Sequence, residues 1–494
     1  MSLTKFLGGI GVDYRGPDVG FNNLTQDTRS LQRGDVFFDV VGNRDNINQA
    51  VSLGASAIVS VLEGYIAISV PFISTPNARL VFAKACAAFF KDQPKTVVAV
   101  TGTNGKTSTV DFIRQLYQSL SVRAASLGTL GLKGVEASFP LPNLNTLDAY
   151  NFHKVLFDLA NRDVRAVAFE ASSHGLDQHR LDAVKVRYAA FTNLTQDHLD
   201  YHETMDHYFQ AKARLFLEVM DPQGVAVINQ DDSYGEELIR LCKEKNIKVF
   251  TYSLENASAD LYGRIEQIHR SSLGVSFTAF NHSLTVNVPL VGLFQVANIL
   301  AAIGIVLASQ LCHLLDLKAG LEQLQSPRGR MEYVGVSVRG GDVFVDYAHT
   351  PDALKRALQS LRAHATGKVY VVFGCGGDRD RSKRPQMGQI AKEWASDVIV
   401  TDDNPRTENA SDIRCQVMLG CPGAIEIGDR EKAIQYAIGQ LSRGDVALIA
   451  GKGHEQGQIV GGDVKPFCDK QVAEFYLKTL NNPSASHTTS EDAA

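Results

Sequence analysis

The chain has 494 residues, 44% of them hydrophobic and 21% charged, with a net charge of -5. That length suits about three domains with sizeable cores, and the absence of a basic footprint excludes nucleic acid as a partner class. Seven scattered cysteines without a Cys-x-x-Cys pair exclude a disulfide framework or a zinc cluster and point to reduced thiols. Met1 to Gly20 lacks the charged start, apolar core and cleavage site of a secretion signal, and no apolar run reaches membrane-spanning length. A cytosolic protein with no membrane partner is expected.

From residue 1 to residue 91 the chain reads as a small α/β unit. Val36-Phe37-Phe38-Asp39-Val40-Val41 and Ala57-Ile58-Val59-Ser60-Val61 are strand-like, and 78–90 is helical. Polar turns lie at Asp27-Thr28-Arg29-Ser30 and Gly42-Asn43-Arg44-Asp45. Arg29 and Arg44 are open to two readings, anion ligands or solvated turn residues.

Asp92-Gln93-Pro94-Lys95 links this unit to a second one, 92–327. It opens on Val97-Val98-Ala99-Val100, a buried strand, then Thr101-Gly102-Thr103-Asn104-Gly105-Lys106-Thr107, then a helix with Val110, Ile113, Tyr117 and Leu120 at helical spacing. Glycines bare the backbone N–H groups, the helix N-terminus is positive, Lys106 adds a point charge and the Thr107 hydroxyl can ligate Mg²⁺. Two residues rather than four separate the first glycine from Gly-Lys, which departs from the general phosphate-loop spacing. The strand before and the helix after make this a nucleotide site.

Further strands run into polar loops: Ala166-Val167-Ala168-Phe169 into Glu170-Ala171-Ser172-Ser173-His174, Tyr188-Ala189-Ala190-Phe191 into Thr192–His198, and Val225–Ile228 into Asn229–Asp232. In a parallel α/β sheet such carboxyl ends converge on one site. The runs 275–280 and 284–288 read as a hairpin-like insert, and an apolar helix over 297–311 completes the unit.

A third unit, 328–480, repeats the pattern. Strands ending near Val345, Phe373, Val400 and Ile449 precede Asp346-Tyr347-Ala348-His349, Gly374–Arg379, Asp402–Arg406 and Ala450–Glu455. It is Rossmann-like without the dinucleotide fingerprint, which disfavours NAD. The tail 481–494, rich in Ser, Thr, Asn and Asp, is expected to be disordered. The predicted fold class is therefore α/β in three domains: a small N-terminal one, a central phosphate-loop domain on a parallel sheet and a C-terminal Rossmann-like one.

Glu170, ending an apolar strand beside a phosphate cradle, suits Mg²⁺. His198 sits in Asp197-His198-Leu199-Asp200-Tyr201-His202 as a second candidate. Lys212 falls on the apolar stripe of a helix over 204–220, between Tyr208 and Leu215. It is either a lysine whose stem covers apolar surface or a desolvated amine of depressed pKa. Arg379, Arg406, Lys452 and Glu455, all at strand ends, combine groups for carboxylate and ammonium, as a pocket for an amino acid requires.

Taken together these motifs resemble the Mur ligase family, in the type that adds the third residue to UDP-N-acetylmuramoyl-L-alanyl-D-glutamate. The resemblance rests on Thr101–Thr107, Glu170–Leu176 with Gln178-His179-Arg180, Thr192–Leu194 with Asp197–His202, Gly329–Glu332, Asp346–Pro351, Gly374–Asp380, Asp403–Arg406 and Gly451–Glu455. It implies that Gly102, Thr103, Asn104, Gly105, Lys106 and Thr107 hold the phosphates of ATP, with Thr107 and Glu170 on one Mg²⁺. His198 and a carbamylated Lys212, its carbamate derived from CO₂, serve a second. It implies further that Asn298, Arg330, Asp346 and His349 contact the rest of the nucleotide. Ser172, Gln178, Arg180, Asn145 and Thr146 would meet the muramoyl dipeptide, and Gln26 and Thr28 its uridine side. Asp403-Asn404-Pro405-Arg406 matches the family's meso-diaminopimelate signature. There Arg406 and Arg379 would clamp the far carboxylate, and Gly451 and Glu455 the far ammonium. Two departures stand out: a short loop after Gly42, read as Asn43–Asn48 before the next helix, and Asn145-Thr146 where two threonines are usual.

The implied activity is ATP-dependent amide ligation through an acyl phosphate, in peptidoglycan synthesis, by a monomer whose partners are small-molecule substrates. The rival readings are another ligase of the same family, adding lysine or extending folate with glutamate, and a non-catalytic nucleotide-binding regulator.

Overall fold

The computed structural model describes residues 1–63, 68–136, 138, 141 and 146–481. Asn145 and residues 482–494 of the expected tail lie outside the described residues, while Asn481 ends the last helix, Asp469–Asn481.

Three α/β sheets follow one another. The first is a parallel sheet in the order β1 (Leu24–Thr25), β2 (Val36–Asp39), β3 (Ala57–Ser60), β4 (Phe72–Ser74). β2 stops at Asp39, short of the predicted Val41, because the Asp39 carboxylate accepts from Gly42 N and Asn43 N, both at 3.1 Å, and closes a turn. The residues expected as a loop after Asn43 are already helix, Arg44–Ser52. The Asn43 side chain caps it by accepting from Asp45 N at 2.8 Å.

The central sheet has ten strands: β5 (Thr96–Thr101), β6 (Ala124–Gly128), β7 (Gly131–Lys133), β8 (Ala166–Glu170), β9 (Val186–Phe191), β10 (Met220–Asn229), β11 (Lys248–Ser253), β12 (Leu261–Ile268), β13 (Leu273–Ala279) and β14 (His282–Val288). Their order is β14-β13-β12-β11-β10-β9-β5-β8-β6-β7. The expected hairpin forms, β13 pairing antiparallel with β14, but it is this sheet's own edge rather than an insert, since β12 continues it onto β11. β5 lies between β8 and β9, both parallel to it. The chain therefore switches direction around β5, which opens a crevice at its carboxyl end.

Two layers of apolar side chains cover this sheet. One includes the helix Lys106–Ser119 and the helix Phe294–Ala308, twelve of whose fifteen residues are buried. That second helix begins and ends three residues earlier than its apolar run suggests. The helix carrying Lys212 is α-helical over Met205–Arg214 and widens to a π-turn over Leu215–Val219, a feature frequent near functional sites.

The third sheet comprises β15 (Glu332–Val336), β16 (Asp342–Asp346), β17 (Val369–Phe373), β18 (Asp397–Val400), β19 (Ile425–Glu426) and β20 (Val446–Ala450), in the order β15-β16-β20-β17-β18-β19. Only β15 runs antiparallel within it. Among the described residues no helix is long and apolar enough to cross a membrane.

Candidate functional site

The loop after β5 turns on two glycines. Gly102 has φ +146° and Gly105 φ +87°, backbone that side-chain-bearing residues avoid. A Cβ on Gly102 would stand 1.9 Å from Thr192 Oγ1, and one on Gly105 2.2 Å from Asn298 Oδ1. The loop is fixed from outside by Asn193, whose side chain accepts from Asn104 N at 3.0 Å. Lys106 Nζ folds onto the loop, donating to Gly102 O and Thr103 O, both at 2.8 Å. Burial pulls its pKa down, while Glu170 and Asp197 oppose that.

At the first helical turn Thr107 Oγ1 donates to Glu170 Oε1 at 3.0 Å. Glu170 is 2% exposed and also accepts from Thr129, N to Oε1 at 2.8 Å and Oγ1 to Oε2 at 3.1 Å. A buried carboxylate beside a hydroxyl is a hard oxygen donor set that fits Mg²⁺.

Lys212 is 1% exposed; its Nζ donates to Gly102 O at 2.8 Å and lies 4.5 Å from the centre of the Tyr208 ring. Burial, reinforced by Lys106, holds its pKa well below the usual lysine range, with Asp197 opposing. Of the two readings open from sequence, the desolvated amine is the one found. Its neutral form is the one that adds CO₂, so the side chain fits a carbamate. His198 adopts φ +53°, its ring 6.1 Å from that of Tyr208 and 5.0 Å from that of His174. Burial lowers its pKa against the pull of Asp197.

The third sheet reaches this crevice. Arg330 Nη2 donates to Thr107 Oγ1 at 3.2 Å and its guanidinium lies 4.5 Å from the centre of the Tyr347 ring. Asn104 Nδ2 donates to Asp352 Oδ2 at 3.1 Å. Asp346 accepts from Met331 N at 2.6 Å and Ala348 N at 2.8 Å and thereby shapes the turn that carries Arg330. His349 Nδ1 is 2.9 Å from Tyr347 O. Asn298 Nδ2 donates to Gln295 Oε1 at 2.8 Å, behind Gly105.

On the other side of β8, Thr146 Oγ1 donates to Glu170 O at 3.0 Å and accepts from Ser172 N at 3.0 Å. Arg180 Nη1 donates to Thr146 O at 2.9 Å and its Nη2 to Gln178 Oε1 at 2.7 Å. A cleft of about 580 Å³ brings Gln26 and Thr28 together with Gln178, Arg180 and Arg79. Arg29, read as a possible anion ligand, forms an exposed pair with Asp27 at 2.7 Å.

Around the ends of β18 and β20, Lys452 Nζ donates to Asn404 Oδ1 at 3.0 Å and to Glu455 Oε2 at 2.9 Å, and Asn404 Nδ2 donates to that same oxygen at 2.9 Å. Burial pushes Glu455 up, but Lys452 and Asn404 outweigh it and keep the carboxylate below its ordinary pKa. Gly451, at φ +113°, leaves no space for a side chain: a Cβ would stand 2.5 Å from Asp403 Oδ2. Arg406, at φ +52°, donates to Gly377 O at 2.8 Å, and Arg379 and Arg406 both border Gly376. Pro405 O crowds Gly377, at 1.9 Å from where its Cβ would stand. The two guanidiniums and the Glu455 carboxylate thus belong to neighbouring loops of one sheet end.

Sequence reasoning missed Thr129, Asp352, Tyr347 and Arg384. Arg384, 0% exposed, donates to Glu408 at 2.8 and 3.0 Å and to Gly376 O at 3.2 Å. With a further bond from Asp378 N, this holds Glu408 down to about 2. Thr129 was open to discovery as another polar residue just past a strand end; Arg384 carried no local signal.

The Mur ligase middle domain matches residues 100–306, and the Mur ligase glutamate ligase domain residues 329–453. A UDP-N-acetylmuramoyl-L-alanyl-D-glutamate--2,6-diaminopimelate ligase of Bradyrhizobium diazoefficiens is 44% identical over 91% of this chain and 93% of its own. One so named from Caulobacter vibrioides is 44% identical over 96% and 98%. A solved structure of a ligase with that name covers 97% of this chain and 99% of its own at 34% identity and a TM-score of 0.70. MurF from Acinetobacter baumannii, at 20% identity and a TM-score of 0.63, shares the fold. With two family domains in sequence and relatives matched along nearly their whole length, the chain belongs to the Mur ligase family.

Proposed function

We propose that the protein is the ATP-dependent ligase that joins meso-2,6-diaminopimelate to the D-glutamate γ-carboxylate of UDP-N-acetylmuramoyl-L-alanyl-D-glutamate. The supporting observation is the pairing, at one sheet end, of Arg379 and Arg406 around Gly376 with a Glu455 carboxylate held by Asn404 and Lys452. A second carboxylate and a second ammonium on one amino acid need those two groups side by side.

In this reading the loop from Gly102 to Thr107 holds the phosphates of ATP and Lys106 leaves the loop carbonyls to meet them. The γ-carboxylate oxygen attacks the γ-phosphorus, ADP departs, and an acyl phosphate results. The amine of diaminopimelate, having lost a proton, attacks the acyl carbon. Collapse of the tetrahedral intermediate forms the amide and expels inorganic phosphate. Thr107 with Glu170 would hold one Mg²⁺, and His198 with a carbamylated Lys212 a second, which would supply charge neutralisation on the transferring phosphoryl group. Arg330 approaches the same phosphates from the third unit. Thr146, Ser172, Gln178 and Arg180 carry the dipeptide, and the cleft with Gln26 and Thr28 carries the uridine end. The same reading takes the protein as a monomer of the cytoplasm acting on small-molecule substrates.

Phosphate release with the UDP-muramoyl dipeptide, compared across meso-diaminopimelate, its other stereoisomers and lysine, tests the reading. Activity with meso-diaminopimelate far above lysine is expected. Equal turnover of lysine would overturn the substrate, and ATP binding without phosphate release would favour the regulator.

A further inference from the structure

Three consecutive residues at the start of the last helix grip two different parts of the chain. Cys468 Sγ accepts from Arg328 Nη2 at 3.3 Å. Asp469 takes Arg430 in both hands, Nε to Oδ1 at 2.7 Å and Nη2 to Oδ2 at 2.8 Å. Lys470 Nζ donates to Glu332 Oε1 at 2.7 Å, and Glu332 Oε2 accepts from Gly329 N at 2.6 Å.

Arg430 does more than meet Asp469. It is 2% exposed, and its fork continues to Ala450 O at 2.9 Å and Asp402 O at 3.4 Å. Those carbonyls directly precede Gly451 and Asp403, so one side chain ties together the two loops that form the amino-acid pocket. A buried ion pair is costly to desolvate, and apolar residues of similar volume often serve stability as well or better. A guanidinium is required where several acceptors must be held at fixed spacing. The Lys470–Glu332–Gly329 chain serves a different place, the turn that presents Arg330 to Thr107.

We propose that Arg430, anchored by Asp469, is a positioning residue that sets the spacing of the Asp402–Arg406 and Ala450–Glu455 loops and so governs affinity for the incoming amino acid. Lys470 with Glu332 separately positions Arg330 for the nucleotide. The first residues of the C-terminal helix are thus a support with two arms, whose far ends meet where the Gly329 turn packs on Gly453 and His454. This rests on the reading of that pocket as the diaminopimelate site.

The test uses the full-length enzyme, with KM for each of the three substrates, kcat and the thermal midpoint. R430M/D469L replaces the pair by apolar volume. The expected result is a midpoint within a few degrees of wild type with KM for diaminopimelate raised about tenfold or more, as loosening of a binding geometry produces, and KM for ATP unchanged. K470M is expected to give the reverse split. Should the double variant not fold, R430K and D469N are read in the same way. Wild-type KM for diaminopimelate in a folded R430M/D469L, or an equal rise in all three KM values, overturns the positioning role. R406M separates the two readings. If it raises KM for diaminopimelate while R430M/D469L does not, only the positioning role fails. If R406M itself leaves that KM unchanged, the pocket assignment fails and this inference with it.

Discussion

Lys106 and Lys212 donate to the same acceptor, the carbonyl of Gly102, each at 2.8 Å. A buried and a half-buried amine at one oxygen cannot both carry full charge cheaply, and desolvation lowers the pKa values of both. Lys212 is the more strongly depressed of the two.

K212A should lower kcat about 10²- to 10³-fold, the range for loss of one preorganised electrostatic group, and K212R should not restore it. Incubation with ¹³C-labelled CO₂ should give a carbamate resonance in the wild type that is missing in K212A. A wild-type protein without that resonance, active in bicarbonate-free buffer, would remove the carbamate from the mechanism.

G105A places a methyl against Asn298 Oδ1 and forces a β-carbon into φ +87°. The backbone cost alone is about 1–2 kcal/mol, so ATP affinity by calorimetry should fall roughly tenfold or more. Affinity for the UDP-muramoyl dipeptide should hardly change.

R406M removes the cation proposed for the far carboxylate of diaminopimelate. A hydrogen bond to a charged group is worth about 1.5–3 kcal/mol, so preference for diaminopimelate over lysine should drop about 10- to 10²-fold in a competition assay. The change should come from the diaminopimelate side, with lysine turnover unaltered or improved.

His153 provides a pH prediction away from the crevice. It is 5% exposed, its Nε2 has no partner among the described residues, and burial lowers its pKa from 6.5 to about 4. The unfolded chain then binds a proton that the folded chain refuses between those values, so stability rises with pH across that window. The contribution is complete above about pH 6.5 and is lost as pH falls through 4, on the order of 3 kcal/mol in all. Thermal midpoints of H153L should fall less steeply than wild type between pH 7 and 4.5.

What could be read from sequence was what is local. Strand followed by polar loop, repeated along the chain, located Glu170, Asn404, Arg406 and Glu455, because continuous apolar runs and their ends are short-range patterns. The placement of β12 to β14 was not legible, since alternation marks a strand but not the sheet it joins. Thr129 meets Glu170 only because β6 lies beside β8, and Arg430 meets Asp469 across 39 positions. Such pairings are set by topology. On its apolar stripe Lys212 reads equally as a surface-covering stem or a desolvated amine, and only the way the helix Met205–Arg214 turns it inward, onto Gly102, decides between them.

Asn298 occupies the space where a side chain on residue 105 would go, and it rides on a helix enclosed by the largest apolar cluster of the molecule. The wall behind the Gly105 turn is therefore set by core packing rather than by the turn itself. A volume change at Ile299 or Ala302, both fully buried, would cost stability as any core change does and would also shift the amide that faces Gly105. The shape of a surface turn is thus partly written in the apolar interior beneath it.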